Sequence, residues 1–145
     1  MTYLDKFMLC LTAWRENRGG GQIGMQSVIN CIVNRCAKDK STPYQECIKR
    51  LQFSSLTATG DPELTLWPQP SDVQWLNAQD LVTQAEAGTL ADLTGGATLY
   101  YAPASIKTTA SFTLPDGSSI PFPQGWNAAV VRYTVTVEGQ AFFTD

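Results

Sequence analysis

Apolar residues recur at helical spacing at the start of the chain. Leu4, Phe7, Met8, Leu11 and Trp14 fall three or four apart and predict an amphipathic helix. Asp5 lies in its first turn, where negative charge suits the helix dipole. Gly19-Gly20-Gly21 ends it, so Glu16 falls at or just past its C-terminal end. Met25, Val28, Ile29, Ile32 and Val33 mark a second amphipathic helix over residues 22–37. Ser41-Thr42-Pro43 stops that pattern and caps a short third helix near Tyr44–Arg50. Residues 51–70, broken by Gly60, Pro62, Pro68 and Pro70, read as loop. Ser71 or Asp72 caps a fourth helix over Val73–Ala87, closed by Gly88.

The second half changes character. Residues 97–101 predict a short strand. Residues 112–114 and 119–122 flank Pro115-Asp116-Gly117 and read as a hairpin or extended lobe. Tyr133–Val137 and Gln140–Phe143 flank Glu138-Gly139, a tight-hairpin signal. Helices first and a small antiparallel sheet afterwards predict an α+β fold, with residues 1–145 as one domain.

Composition narrows the chemistry. With 145 residues, 43% of them hydrophobic, the chain has enough core to fold without a metal or disulfide. Net charge is −3 and the ten basic residues are scattered, so no basic stripe points to nucleic acid. The chain contains no histidine. That excludes Ser-His-Asp and Cys-His catalysis and removes the commonest metal ligand, so neither a metal nor another cofactor is expected. Carboxylates, lysines and tyrosines remain for acid–base work. Cys10, Cys31, Cys36 and Cys47 lack the paired spacing of a zinc site. They read as buried thiols, with a disulfide between two of Cys10, Cys36 and Cys47 as the alternative. The N-terminus lacks the basic start and long apolar run of a signal peptide. No stretch approaches the ~20 apolar residues of a membrane span. The expectation is a protein made in the cytoplasm that does not insert in the membrane.

Glu16 stands in Trp14-Arg15-Glu16-Asn17-Arg18-Gly19. A carboxylate at a helix end, beside a tryptophan and a glycine turn, can line a cleft wall. Burial against an aromatic ring raises a carboxyl toward a value of ~6 and lets it donate a proton near neutrality. Arg15 and Arg18 are expected to push the other way. A solvated surface glutamate is the plainer reading of this motif alone.

Further segments change the weighing. Residues 14–19, then Gly24 to Arg35, Gln52-Phe53-Ser54-Ser55, Gly95 to Pro103, Gly125-Trp126 and Glu138 to Phe143 occur in one order. Together they resemble the cell wall hydrolase family of the SleB type, which includes spore cortex-lytic enzymes and phage endolysins. Leu11-Thr12-Ala13-Trp14-Arg15-Glu16 looks more like the phage branch. The family usually reads Glu-Ala-Arg-Gly-Glu after the tryptophan. Glu16 and Arg18-Gly19 match, whereas Asn17 and Gly20 depart, and the second glutamate is absent.

The resemblance implies a lysozyme-like fold with Glu16 as catalytic acid, acting on the glycan strands of peptidoglycan. Glycosidases ordinarily pair two carboxyl groups about 5 to 9.5 Å apart. A lytic transglycosylase needs only one, because the sugar's own hydroxyl replaces water. A hydrolytic muramidase, with Asp61, Glu63 or Asp72 as second acid, is the alternative. A non-catalytic peptidoglycan-binding or virion structural protein is another. An endolysin of this kind is expected to act as a monomer after release through a holin.

Several residues are candidates for substrate binding. Gln52 and Ser54 suit acetamido and hydroxyl groups, and Phe53 suits a sugar face, unless Phe53 is core. Tyr100 and Tyr101 alternate across a strand, so one faces the core and the other can face the cleft. The resemblance selects Tyr101 for the cleft. Trp67 is either a sugar platform or core. Trp126, Phe142 and Phe143 read as core. Asn30 and Asn34 share a helix face and either brace the catalytic loop or face solvent.

Overall fold

The computed structural model describes residues 1–50 and 52–145. Helix α1 (Tyr3–Asn17) begins on a capping box. Thr2 accepts from the Asp5 backbone, while the Asp5 carboxylate accepts from the Thr2 N–H at 2.8 Å. Both satisfy donors that a helix start leaves open. A 3-10 turn, Arg18–Gly20, leads into α2 (Gly21–Asp39), which ends with Lys40 left-handed at φ 53°. Thr42 and Pro43 start α3 (Pro43–Ile48), two residues shorter at its end than the spacing predicts, because Lys49 is extended. Asp72 caps α5 (Val73–Ala87), and Gly88 closes it at φ 70°.

The segment read as loop holds more order than its prolines suggest. It contains one helical turn, α4 (Ser54–Thr57), and a 3-10 turn, Pro62–Thr65, capped by Asp61. Single turns are too short to show periodicity.

The sheet has the order β1-β5-β4, from strands Leu99–Tyr101, Gln140–Thr144 and Arg132–Val137, all antiparallel. Glu138 and Gly139 turn β4 into β5 with φ 47° and 73°, the doubly left-handed turn that suits strand twist. β2 (Ser111–Thr113) and β3 (Ser119–Pro121) form a separate hairpin. The fold is α+β: a helical N-terminal part and a small antiparallel sheet in the C-terminal half.

Central position explains why β5 is buried from Gln140 through Phe143. Its side chains alternate between two cores. Phe142 packs with Cys31 of α2 and Ala97, beside Tyr100. Ala141 and Phe143 join an aromatic cluster with Tyr101 and Phe122, against which Trp126 packs. The main core lies among α1, α2 and α5, around Leu9, Met25, Ile29, Ile32 and Leu81, and includes Phe53. Trp126, Phe142 and Phe143 thus pack in the core regions as their sequence context predicts. All four cysteines are free thiols; Cys10, Cys31 and Cys47 are buried. Among the described residues no helix is long and apolar enough to cross a membrane.

Candidate active site

Glu16 occupies the last turn of α1 and is partly buried. Two hydroxyls reach its carboxylate from opposite halves of the chain. Ser55, in α4, donates to Oε1. Tyr100, in β1, donates to Oε2 at 3.2 Å. Burial pushes the Glu16 carboxyl above the ordinary range; the Ser55 and Tyr100 hydroxyls pull it back, and the charge of Asp61 adds to the rise.

The two neighbouring arginines do not oppose that rise as their place in the sequence suggests. Arg15 is buried and turns to backbone carbonyls: Ser55 at 3.1 Å, Leu64 at 3.3 Å and Leu66 at 3.0 Å. It staples the 55–66 segment to α1. Arg18 forks onto Glu63, with N–O distances of 2.6 and 3.0 Å, and lies over the Trp14 ring. Trp14 in turn donates to the Asp72 carboxylate at 2.9 Å. Among the described residues no lysine or arginine pairs with Glu16.

Glu16 also sits where two recesses meet. The larger, about 470 Å³, is lined by Glu16, Arg35, Gln52, Ser54, Tyr100 and Tyr101, with Ser105 and Gln140. The smaller, about 330 Å³, is lined by Arg15, Glu16, Asn17, Arg18, Gly19 and Glu63. Glu16 thus borders both recesses, with its carboxylate oxygens held by Ser55 and Tyr100.

The other predicted site residues divide. Gln52 and Ser54 are exposed and line the larger recess. Phe53 does not stack on a ligand: it is 1% exposed, within the helical core, because it caps α4 with its ring turned inward. Tyr101 is not the hydroxyl at the carboxylate either. It borders the larger recess, but its hydroxyl donates to the Pro121 carbonyl at 2.7 Å and its ring stacks on Phe143. Strand parity decides between the two tyrosines: Tyr100 faces the helical layer with Phe142, and Tyr101 faces the aromatic cluster. Trp67 is 58% exposed, with the Arg15 guanidinium 4.8 Å from its ring centroid, and so stands beside the smaller recess. Asn30 and Asn34 brace a different segment from the one bearing Glu16. Asn30 accepts from the Leu93 N–H and Asn34 donates to the Ala97 carbonyl, which steadies the approach to β1.

Sequence reasoning gives Ser55 no role and chooses Tyr101 over Tyr100, yet Ser55 and Tyr100 are the contacts of Glu16. Asn17 is another residue to which it gives no role. Its side chain accepts from the Gly20 N–H at 3.2 Å and donates to Gln140 of β5 at 3.0 Å. A Cβ on Gly20 or Gly24 would come within 2.7 Å of that amide, so both glycines leave room for Asn17. The two departures from the family pattern, Asn17 and Gly20, therefore fit each other.

Among the described residues no group of three or more His, Cys, Asp or Glu side chains could hold a metal ion. The buried thiols are poor nucleophiles: burial pushes Cys10 and Cys47 up to about 12. The arrangement is equipped for proton transfer by one carboxyl flanked by neutral hydroxyls. No family model, curated protein or solved structure matches this chain.

Proposed function

We propose that this chain is a peptidoglycan-cleaving enzyme, a lytic transglycosylase of the phage endolysin kind. Its substrate is the β-1,4 bond between N-acetylmuramic acid and N-acetylglucosamine. The observation that carries the reading is Glu16 itself, a carboxyl raised by burial, without a paired cation among the described residues and bordering two recesses. The resemblance to the SleB-type hydrolases adds the substrate class.

In this reaction Glu16 gives its proton to the glycosidic oxygen as the bond to carbon one of muramic acid breaks. The N-acetylglucosamine end leaves as an alcohol. The acetamido group of muramic acid supports the positive charge left on carbon one. Ionised Glu16 then takes the proton of that sugar's 6-hydroxyl as its oxygen bonds to carbon one. The product is a 1,6-anhydro ring, water is not consumed, and the acid is regenerated. Ser55 and Tyr100 donate to the carboxylate while it is charged. Burial and hydroxyl contacts in opposition suit a group that must be first acid and then base. In this reading Gln52 and Ser54, which line the larger recess, meet acetamido and hydroxyl groups, and the exposed Trp67 meets a sugar further along the strand. Release to the cell wall is assigned to a holin.

The three other acids have structural employment. Glu63 is paired with Arg18, Asp61 caps the 3-10 turn, and Asp72 caps α5. Asp61 favours one second reading, a hydrolytic muramidase, because its charge is near enough to raise Glu16.

Turbidity loss of permeabilised Gram-negative cells, compared for wild type and Glu16→Gln, tests the assignment. The variant is expected to lose about 10²- to 10⁴-fold in rate, and equal rates would sink it. Mass spectrometry of the released muropeptides separates the readings, since the anhydro product is lighter by one water. Binding without soluble product would instead indicate a peptidoglycan-binding protein.

A further inference from the structure

Arg35 is buried, and among the described residues no carboxylate pairs with it. It projects from α2, is 7% exposed, and lines the larger recess beside Glu16. Its Nε donates to the Thr98 carbonyl, and its guanidinium carbon stands 5.2 Å from the centroid of the Phe53 ring. Its Nη1 is buried with no hydrogen-bond partner among the described residues. Arg15, equally buried, spends its donors on three carbonyls. A buried cation that leaves a donor unused is costly to keep, so its worth lies in the contacts it does make.

Those contacts bear on the acid. Thr98 stands two residues before Tyr100, and Phe53 stands two residues before Ser55. Arg35 therefore touches both segments that carry the hydroxyls of the Glu16 site, one from the sheet half and one from the helical half. Both reach a single carboxyl, so the spacing between the segments decides whether both bonds form.

We propose that Arg35 is a positioning residue for Glu16. By tying the Thr98 carbonyl to the Phe53 ring, it sets the distance between Tyr100 and Ser55 so that both hydroxyls reach the one carboxylate. This rests on Glu16 being the acid of the proposed reaction. It gives Arg35 no contact with the reacting atoms. The other charged groups near Glu16, namely Asp61, Glu63, Arg15 and Arg18, belong to α1, the turn after it and the 55–66 segment, and among the described residues no ion pair or hydrogen bond joins Arg35 to them.

The test is an NMR titration of the Glu16 carboxyl with ¹³C-labelled glutamate in wild type, Arg35→Met and Arg35→Lys. Hydrogen bonds to the ionised form lower a carboxyl's midpoint, so loosening them raises it. Arg35→Met is expected to move the Glu16 midpoint upward by about half to one pH unit. Arg35→Lys is expected to move it less, because an ammonium reaches a carbonyl but does not stack as a plane. The alkaline limb of kcat/KM on peptidoglycan moves with it, while kcat falls about tenfold and KM changes less than about threefold. In a Ser55→Ala/Tyr100→Phe background Arg35→Met adds nothing, since no hydroxyl remains to be positioned.

Two results overturn the proposal. One is a folded Arg35→Met with the wild-type midpoint, which leaves Arg35 a purely structural role. The other is a full shift that persists in the doubly substituted background, which makes the effect one of direct charge. If Arg35→Met does not fold, Phe53→Leu removes the other half of the tie and is judged by the same two comparisons. The titration needs no substrate. A wild type that leaves peptidoglycan intact would therefore sink the proposed function while the positioning result stayed readable.

Discussion

Helix α1 carries a carboxylate near each end, and the two live in opposite surroundings. Asp5, in the first turn, accepts from the Thr2 N–H and hydroxyl and from the Tyr44 N–H at 3.1 Å. Burial pushes its carboxyl up, but these donors outweigh it and bring the value down to about 2. Glu16, in the last turn, meets two hydroxyls on a helix end whose dipole disfavours negative charge, and burial wins. The same functional group is pulled toward its anion at one end and toward its protonated form at the other. A helix start rich in free N–H groups makes a carboxylate structural. A helix end facing a groove keeps one available for chemistry.

The comparison breaks most visibly at Asp5. Asp5→Ala removes the capping box and the tie to α3, and is expected to cost about 2 kcal/mol at neutral pH. Because the folded value lies below the ordinary 3.8, the stability Asp5 contributes is complete above about pH 4 and is lost as pH falls toward 2. Urea unfolding at pH 7 and at pH 2.5 should show the gap between wild type and variant narrowing in acid. A constant gap would contradict the assignment.

At the other end, Gly20→Ala is expected to cost about 1 kcal/mol, the price of pushing a Cβ against the Asn17 amide. Placed on an Asn17→Ala background the same change should cost almost nothing, and equal costs in both backgrounds would refute the packing account. Thermal unfolding of the four proteins supplies the cycle.

Glu16→Gln is the subtlest of these changes in stability. A carboxyl raised above its unfolded value stabilises the fold least when ionised. Wild type therefore loses stability as pH rises through the ordinary carboxylate range and up to the raised value. The glutamine variant does not titrate, so it should gain on wild type as pH rises from 4 to 8 and be no more stable at pH 4. A slope in the same direction as that of Asp5 would erase the contrast between the two ends.

Much of the helical layer is legible in the sequence. Met25, Val28, Ile29 and Ile32 lie on the periodic face read for α2, and Thr42-Pro43 and Asp72 start helices where their chemistry predicts, whereas α1 turns Leu9, Cys10 and Ala13 into the core and leaves Leu4 and Phe7 of the predicted face exposed. Glu138-Gly139 marks its hairpin for the same kind of local reason. Glu16 is found at its helix end. Its partners are another matter. Ser55 belongs to a single helical turn with no period to read, and Tyr100 reaches Glu16 across 84 positions of chain. Which of two adjacent tyrosines does so depends on which sheet face meets the helices, and that is a tertiary fact. Arg15 and Arg18 look like near neighbours of the carboxylate, yet carbonyls and Glu63 take them away. Local sequence reports proximity along the chain, whereas charge follows direction in space.

The placement of β5 between β1 and β4 has a consequence in time. Strand β1 pairs with β5 and β4 pairs with β5, and residues 140–144 follow both partners along the chain. During synthesis the helical layer is in hand first, with Glu16 and Ser55 on neighbouring elements. Tyr100 emerges with its strand but without the neighbour that orders it. The second hydroxyl is secured by a long-range pairing that forms slowly compared with a helix. The two hydroxyl contacts of Glu16 are thus assembled in two stages, and the strand that completes the sheet also completes the pair.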